Sequence, residues 1–307
     1  MWQKMRTSWV GAGLLAPALL GFAVPASAQR PAPLQPGLLR VCADPDNMPS
    51  SNEKGEGFEN KLASMIAKEW NSKLQYVWYP TRRGYFRILN GMYCDVAMEA
   101  PAGLDMAGAT KPYFRSGYFF VTRPGGGLET LTSLADPRLK KVKIGVNIYT
   151  ADAENSPPAM ALGRYGVVGN LTGYSTFFSD SGSRPEDIVN AVANKAVDVA
   201  IAWGPLAGYF AKKSATPLVF QPLPEKDSLS DIPFRYSIGL AVRRRDKDLR
   251  DSLQTFLDRH QPEIQALLKE YSVPTFPIPV EKEGESKTTS AETPKPATDS
   301  AKVAGRQ

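Results

Sequence analysis

Apolar and polar residues follow two different periods along this chain, and the alternation of those periods predicts strands and helices in turn. The apolar run Leu38–Ala43 predicts a strand. Apolar residues then recur every three or four positions between 57 and 70, which predicts an amphipathic helix. Runs at 74–79 and 95–98 predict two more strands, with a short helix between them that ends at Gly91. This βαβαβ order favours an open, mainly parallel sheet with right-handed crossovers.

A second series of the same kind follows a Pro-Gly-Gly-Gly break at residues 124–127. Ser183 is predicted to cap a helix, with Pro185 in its first turn and Glu186 three residues after the cap. The remaining predicted elements are strands at 118–123, 142–146, 197–202 and 238–242, and helices at 159–165, around 249–257 and around 262–271. The pattern therefore predicts an α/β protein of two lobes with a cleft between them.

Ligands of open α/β sheets bind beyond the carboxyl ends of the strands, and this rule selects the cleft segments. They are residues 44–47, 80–83, 99–101, 147–150 and 203–205. The candidate residues for contact with a ligand or a partner are Asp44, Asp46, Asn47, Arg82, Arg83, Glu99, Tyr149, Thr150 and Trp203.

The two ends of the chain differ from this folded pattern. Residues 1–28 have Lys4 and Arg6 before an apolar stretch and end in Ala-Ser-Ala, which predicts a secretory signal cleaved near Ala28 and Gln29. The alternative, a membrane anchor, is disfavoured because the apolar stretch is short and contains Pro17. Residues 281–307 have almost no bulky apolar side chains, so we expect a disordered tail. The mature chain should be periplasmic and have no membrane span.

The charge of the chain points to no nucleic-acid partner. The formal net charge is +6, of which Lys4 and Arg6 contribute two, so the mature chain carries about +4. The densest basic cluster, residues 243–245, is followed directly by Asp246 and Asp248. Such a run is typical of a solvated face.

Cys42 and Cys94 are the two cysteines of the chain. An even count in an exported protein suggests a disulfide, and two buried free thiols are the alternative. In sheets of this class the first strand commonly lies beside the third, which would bring the two cysteines together. A bridge would stabilise the fold by about 4 kcal/mol in the chain-entropy model.

The stretches "GFENKLASMIAKEW", "ILNGMYCDVAM" and "TKPYFRSGYFFVTRPG" resemble conserved segments of the type II periplasmic solute-binding proteins of ABC transporters. That resemblance implies a first lobe of residues 38–124 plus 226–276, and a second lobe of residues 125–225. It also implies a mixed, mainly parallel sheet in each lobe and a cleft between the two.

A more specific resemblance joins "RVCADPDNMPSSNEKGEGFENKLA", "YPTRRGYFRILNGMYCDVAMEAPAG" and "PEDIVNAVANKAVDVAIAWGPLAGYFA". Together they look like the J proteins of methanol dehydrogenase operons, over residues 38–276. The resemblance implies a quinoprotein dehydrogenase as partner, with its cytochrome c as a further candidate and an ABC permease as the alternative. It also implies that the chain would encounter PQQ, or a calcium or lanthanide ion, through that dehydrogenase, and no bound cofactor is expected in the chain itself.

Amino-acid receptors of the wider family grip the ligand with an Arg and an Asp. Those positions align with Gly103 and Trp203 in this chain, so both ends of the clamp are missing. An ordinary amino-acid receptor is therefore disfavoured.

The remaining cleft residues each allow two interpretations. Arg82 and Arg83 would bind an anion or form a solvated turn. Trp203 would form a ligand wall or pack at a core edge. Asp44, Asp46, Asn47 and Glu99 would form an oxygen-rich site for Ca²⁺ or a larger hard cation, with a structural Asx turn as the more common alternative.

Enzymatic activity is not expected. No Gly-x-Ser-x-Gly motif is present, and the single histidine, His260, is predicted to lie in a C-terminal helix with no partner. Two hypotheses follow: an accessory protein of a periplasmic quinoprotein dehydrogenase, or a transporter-linked receptor for a small, anionic, non-amino-acid solute.

Overall fold

A computed structural model of the chain describes residues 34–80, 84–103, 105–149, 155–176 and 182–279. The predicted signal at residues 1–28 and the predicted tail at 281–307 lie outside these ranges. Within them, no helix is both long and apolar enough to cross a lipid bilayer.

The described part of the chain alternates strands with helices, as the pattern predicts. The strands are β1 (Leu38–Ala43), β2 (Asp46–Asn47), β3 (Ser51–Asn52), β4 (Lys73–Trp78), β5 (Val96–Pro101), β6 (Gly108–Ala109), β7 (Phe114–Thr122), β8 (Ile144–Ile148), β9 (Leu171–Ser175), β10 (Val199–Trp203), β11 (Val219–Pro222) and β12 (Arg235–Val242). The α-helices are α1 (Phe58–Glu69), α2 (Tyr85–Asn90), α3 (Pro157–Arg164), α4 (Asp187–Ala193), α5 (Gly204–Lys213), α6 (Lys247–Arg259) and α7 (Gln261–Glu270).

The strands form one hydrogen-bonded path in the order β4-β1-β5-β12-β7-β10-β8-β9, with β6 on β12 and β11 on β7. Strands β4, β1 and β5 are parallel at one end, and β10, β8 and β9 are parallel at the other. Strands β7 and β12 join the two ends by antiparallel pairing. The predicted two-lobed α/β architecture, with mixed, mainly parallel sheets, is confirmed.

Strand β7 passes from one lobe into the other. Its first residues pair with β12, from Phe114 opposite Ile238 to Gly117 opposite Arg235. Its later residues pair with β10, beginning with Tyr118 opposite Trp203. The sequence predicts only the apolar parts of β7 and β12, because the polar residues at 115–117 and 235–237 interrupt the apolar pattern. Ladder hydrogen bonds extend both strands through those residues.

Each lobe has its own apolar core, in which helices cover the sheet. In the first lobe, Phe58, Leu62 and Ile66 of α1 pack in one cluster with residues of β1, β5, β12, α6 and α7. In the second lobe, α3 packs on one cluster that includes β8, and α4 packs on another that includes Val121 and Ala200. Strands covered on both faces are expected to be nearly continuous in apolar residues, as β1 and β10 are.

The predicted neighbour relationship of the first and third strands is present, and it brings the two cysteines together. Val41 of β1 lies opposite Val96 of β5. Cys42 and Cys94 form a disulfide, with their Cα atoms 5.4 Å apart. The bridge is buried and pins the start of β5 to β1.

Some predicted boundaries are wrong. Helix α4 begins at Asp187 and has Glu186 at its N-cap position, so Ser183 does not cap it. The Asp187 carboxylate instead accepts a hydrogen bond of 2.8 Å from the Arg184 backbone N–H, which closes a separate turn before the helix. Strands β2, β3, β6, β9 and β11 and helix α5 are not predicted from the pattern. The lobe boundaries at 124/125 and 225/226 stay a prediction.

Candidate functional site: the cleft between the lobes

The cleft between the lobes contains a cavity of about 40 Å³. Both lobes supply its walls through residues at the carboxyl ends of strands, through the turn after β2 and through the first turn of α5. The first lobe contributes Asn47, Met48, Pro49, Ser50 and Glu99, and the second contributes Asn147, Tyr149, Thr176, Trp203, Pro205 and Leu206.

The structure gathers many of the predicted cleft residues here. Asn47, Glu99, Tyr149 and Trp203 line the cavity directly. Asp44 lines a second, smaller cavity next to it. The predicted candidates Arg82, Arg83 and Thr150 lie outside the described residues. No observation tests whether any of these side chains contacts a ligand or a partner, so those roles stay predictions.

The Asp-Pro-Asp-Asn loop after β1 is a small hairpin. Asp44 Oδ1 accepts a hydrogen bond of 3.1 Å from the Asp46 backbone N–H, the Asx turn that the sequence offers as one interpretation. Strands β2 and β3 then pair, with Asp46 opposite Asn52. The Ser51 hydroxyl donates a 2.8 Å hydrogen bond to the carbonyl oxygen of Asp44, which fixes the hairpin to the end of β1.

Helix α1 begins directly against this hairpin. A Cβ at Gly57 would collide with the backbone carbonyl of Ser50, so only glycine allows so close an approach. The Glu59 backbone N–H donates a 2.9 Å hydrogen bond to that same carbonyl. The contact places the first turn of α1, and with it the Glu59 side chain, beneath the cleft.

A second cavity of about 10 Å³ lies under the hairpin and brings three carboxyl groups together. Asp44 follows β1, Glu59 lies in α1, and Glu99 lies in β5. Burial raises the pKa of Glu59 well above its usual value, and the charge of Glu99, a side-chain hydrogen bond with Glu99 and the charge of Asp44 raise it further. Glu59 therefore retains its proton to a higher pH than an exposed glutamate.

Sequence reasoning missed Glu59. An acidic residue in the first turn of a helix is common, because it interacts favourably with the helix dipole from an exposed position. The sequence "GFEN" therefore gives no signal that the side chain is buried. Its burial follows from packing beside residues at the ends of β1, β4 and β5, and hence only from the tertiary structure.

Aromatic side chains form the opposite wall of the larger cavity. The Trp203 ring meets Tyr118 at 5.5 Å between centroids and Tyr236 at 6.0 Å, both edge to face. The hydroxyl groups of Tyr118 and Tyr149 share a hydrogen bond. Burial, followed by the charge of Tyr149, raises the pKa of Tyr236 to about 12. Trp203 packs against both lobe cores and also lines the cavity, so its two interpretations are compatible.

The described walls of the cleft are acidic. Glu99 is the one charged residue among the described residues that line the larger cavity, and no Lys or Arg lines either cavity in those parts of the chain. Burial raises the pKa of Asp46, and the charges of Asp44 and of Glu186, from the second lobe, raise it further. Like charges therefore face each other across the cleft. This lining gives no support to an anionic ligand.

The acidic groups are not arranged as a metal site. Across the ranges that the structure describes, no three His, Cys, Asp or Glu side chains are placed to hold a metal ion together. His260 lies at the junction of α6 and α7, away from the cleft residues. Its Nε2 lies 2.5 Å from Glu69 Oε2, and the expectation that it has no partner for a transition-metal site stays a prediction.

Comparison with known proteins gives relatives that match over most of the described chain. Protein MoxJ of Methylorubrum extorquens strain AM1 is 32% identical over 255 residues, which cover 79% of this chain and 83% of that protein. Among solved structures, the periplasmic binding protein XoxJ of Methylobacterium extorquens AM1 is 36% identical, with a TM-score of 0.64. MxaJ of Methlophaga aminisulfidivorans MPT is 27% identical, with a TM-score of 0.66. Both structures cover 78% of this chain and are themselves covered completely.

No protein-family model matches the chain. The structural matches nevertheless extend over both lobes and the strands that join them. The predicted type II periplasmic binding protein fold is therefore confirmed.

Proposed function

The chain belongs to the family of the MoxJ proteins, and from this membership we propose that it is a periplasmic accessory protein of a PQQ-dependent methanol or alcohol dehydrogenase. In this role it assists maturation of the dehydrogenase, loading of its metal or cofactor, or its stability. The dehydrogenase is the proposed partner, and its cytochrome c is a second candidate.

The family relationship supports this role and its location. The sequence resembles the J proteins of methanol dehydrogenase operons along residues 38–276. The solved relative XoxJ is itself described as a periplasmic binding protein. A periplasmic location also agrees with the predicted signal at residues 1–28 and with a buried disulfide, since disulfides persist in oxidising compartments.

The size of the cleft cavity is the observation that carries the proposal beyond the family relationship. Small-molecule sites usually enclose about 300–1,000 Å³. The cavity here holds about 40 Å³, far less than a solute of amino-acid size needs. Trp203 occupies the position where amino-acid receptors of the wider family place an aspartate. A two-lobed protein with so little space in its cleft is better suited to contact a partner protein through its surface than to enclose a solute.

We propose that this role is not catalytic. Asp44, Glu59 and Glu99 are the acidic groups grouped in the cleft, and the pKa of Glu59 is the strongly raised one. A proton held between the buried Glu59 and the half-buried Glu99 suits a structural or binding role. General acid–base catalysis would additionally need a substrate placed within hydrogen-bonding distance, for which the cavity has little room.

Deletion of the gene tests the accessory role directly. We expect the deletion strain to contain dehydrogenase protein but to have reduced alcohol oxidation, and an affinity-tagged copy of this chain to co-purify with the dehydrogenase. Full-length protein should restore the activity. A copy lacking residues 1–28 serves as the matched control and should not restore it, because it is not exported. Normal holo-dehydrogenase in the deletion strain would contradict the proposal.

The receptor hypothesis predicts a different set of results. A transporter-linked receptor would leave the dehydrogenase intact after deletion, and an anionic solute would raise the melting temperature of the purified protein. Its gene would lie beside those of an ABC permease and its ATPase.

A further inference from the structure

Exposed cations gather at one end of the second lobe, at the edge of its sheet away from the cleft. Strands β8, β9 and β10 run parallel, so their first residues lie together at this edge. Helices α3 and α4, which return the chain to β9 and β10, end there as well. We call this surface the basic edge, after its five exposed cations: Lys140, Lys141, Lys143, Arg164 and Lys195.

Hydrogen bonds bring together the three chain segments that carry these cations. The Lys143 backbone N–H donates a 2.9 Å bond to Asp198 Oδ2, and Lys195 lies in the turn just before that aspartate. The Asn170 side-chain amide donates a 2.7 Å bond to the carbonyl oxygen of Leu139. Asn170 ends the turn between α3 and β9, so all three segments meet at one surface.

The segment with most of the lysines has a fixed shape. A short 3₁₀ helix, Pro137–Lys141, precedes β8, and Asp136 caps it by accepting a 2.9 Å hydrogen bond from the Arg138 backbone N–H. Leu139, in the middle of this helix, is buried in the core of the second lobe. The lysines beside it are therefore held at the surface by folded backbone.

The positive charge of the basic edge is not neutralised within the described chain. Two carboxylates lie close by, and each already has a different cation as its partner. Asp136 forms an ion pair of 2.6 Å with Arg138, and Asp198 forms one of 3.4 Å with Arg123. None of the five basic-edge cations forms an ion pair with another described residue.

The corresponding edge of the first lobe shows the other solution. It also carries cations, but Arg259 pairs there with Glu69 at 2.7 Å, and Arg243 pairs with Asp246 at 2.5 Å. Arg245 lies 3.7 Å from the same aspartate. Neutralisation within the chain is thus common at that end of the first lobe and is missing among the five cations of the second.

The chemistry of the basic edge indicates what would bind it. Four of its five cations are lysines, whose compact charge attracts carboxylates without the fixed two-pronged geometry of arginine. Several such charges on one surface attract an acidic surface over a distance and speed association. The edge therefore suits a partner that presents several carboxylates.

The apolar content of the edge favours a protein over a lipid surface. Val168, in the turn between α3 and β9, is 63% exposed and is the one large apolar side chain that these described segments fully expose. Proteins that lie in a membrane interface usually insert Trp, Phe or Leu from a long amphipathic helix. An apolar centre with a charged rim is instead typical of protein–protein interfaces.

We propose that the basic edge is a docking surface for an acidic patch on a partner protein. This inference rests on the proposed accessory function and assigns to it the face by which the chain meets the dehydrogenase. Docking at this edge leaves the cleft free, because the cleft lies at the opposite ends of the same strands.

Charge reversal tests the docking surface. The triple variant Lys140→Glu, Lys141→Glu, Lys143→Glu changes side chains that are exposed and have no ion-pair partner among the described residues, so its melting temperature should stay near that of the wild type. Its association rate with the dehydrogenase purified from the same strain should be lower by roughly tenfold or more at low ionic strength. Surface plasmon resonance measures both association and dissociation rates.

The matched control is Lys61→Glu, Lys68→Glu, Lys73→Glu. These lysines are exposed on the first lobe, and their reversal changes the net charge by the same amount. The control should associate at nearly the wild-type rate. Raising sodium chloride from about 0.01 M to about 0.3 M should slow association of the wild type and of the control but change that of the basic-edge variant little.

Anionic vesicles test the other class of partner. Vesicles of phosphatidylglycerol and phosphatidylethanolamine should not retain the wild-type protein on sedimentation. Retention of the wild type but not of the basic-edge variant, together with equal association of both with the dehydrogenase, would assign the edge to a membrane and overturn the proposal.

Failure of this inference is distinct from failure of the accessory function. If the wild type and the basic-edge variant associate equally with the dehydrogenase and equally restore alcohol oxidation to the deletion strain, the docking surface is wrong and the accessory function stands. If the wild type itself neither associates with the dehydrogenase nor is needed for its activity, the accessory function is wrong, and the assignment of the edge falls with it.

Discussion

Arg40 and Asp95 form a buried, two-pronged ion pair between the starts of β1 and β5. Arg40 Nε donates a hydrogen bond of 2.8 Å to Asp95 Oδ2, and Arg40 Nη2 donates one of 2.7 Å to Oδ1. Arg243, at the end of β12, donates a third of 2.8 Å to Oδ1. One carboxylate therefore ties together three neighbouring strands at the edge of the sheet opposite the cleft.

Asp95→Asn should destabilise the protein by about 3–5 kcal/mol, because it removes the buried charge that the Arg40 and Arg243 guanidinium groups both contact. Unfolding in urea, followed by far-UV circular dichroism, measures the change. Asp251→Asn is the matched control. It removes the carboxylate of an exposed pair with Arg250 and should change stability by less than about 0.5 kcal/mol. A similar small loss for both variants would contradict the assigned role of Asp95.

Removing the disulfide with the double change Cys42→Ala and Cys94→Ala should destabilise the protein by about 2–5 kcal/mol. The bridge closes a loop with a sequence separation of 52 residues and so restricts the unfolded chain. Urea unfolding with and without dithiothreitol measures the change, and the double variant, which has no disulfide to reduce, is the control. The reductant should lower the midpoint of the wild type and leave that of the double variant unchanged.

The stability of the protein should fall as pH rises through the titration of Glu59. Its pKa in the folded state is raised from the ordinary value of 4.5, so the folded protein binds this proton more tightly than the unfolded chain does. The resulting stabilisation is complete below the unfolded pKa and is lost as pH increases through the folded pKa.

Glu59→Gln keeps this side chain neutral at every pH, so comparison with the wild type isolates the contribution of Glu59 titration to stability. The variant should gain melting temperature relative to the wild type as the pH is raised from 4 to about 9. Glu53→Gln, an exposed change of the same kind, should follow the wild-type curve. If the melting temperatures of the wild type and the Glu59→Gln variant change with pH in the same way, the pKa of Glu59 is not raised in the folded protein.

Gly57→Ala should destabilise the protein by about 1–3 kcal/mol, because the added methyl group has no space against the Ser50 carbonyl. The comparison is Gly163→Ala in α3, where a Cβ meets nothing within 4 Å. That change should stabilise the protein by about 0.4–1 kcal/mol, since alanine restricts the unfolded chain. A lower free energy of unfolding for Gly57→Ala and a higher one for Gly163→Ala, both measured in urea, would confirm the close packing at Gly57.

Much of the fold follows from local pattern. The apolar run of β1 and the three-to-four-residue spacing of α1 are strong signals, because one element is buried on both faces and the other on a single stripe. The order of strands and helices was enough to place β1 beside β5, and hence Cys42 near Cys94. The rule that ligands bind beyond the carboxyl ends of strands selected Asn47, Glu99, Tyr149 and Trp203 as neighbours.

The tertiary structure decided what local pattern does not encode. Residues 115–117 and 235–237 are polar, yet they belong to strands, because pairing between β7 and β12 satisfies their backbone groups across the junction of the lobes. Glu59 has the sequence context of an exposed helix-start residue and is buried because its side chain lies among residues at the ends of β1, β4 and β5. The sequence by itself determined most of the long strands and helices and the two-lobed α/β class, and it favoured the disulfide. Packing between elements distant in the chain determined the small acidic cleft, since both its volume and the pKa of Glu59 depend on which side chains meet there.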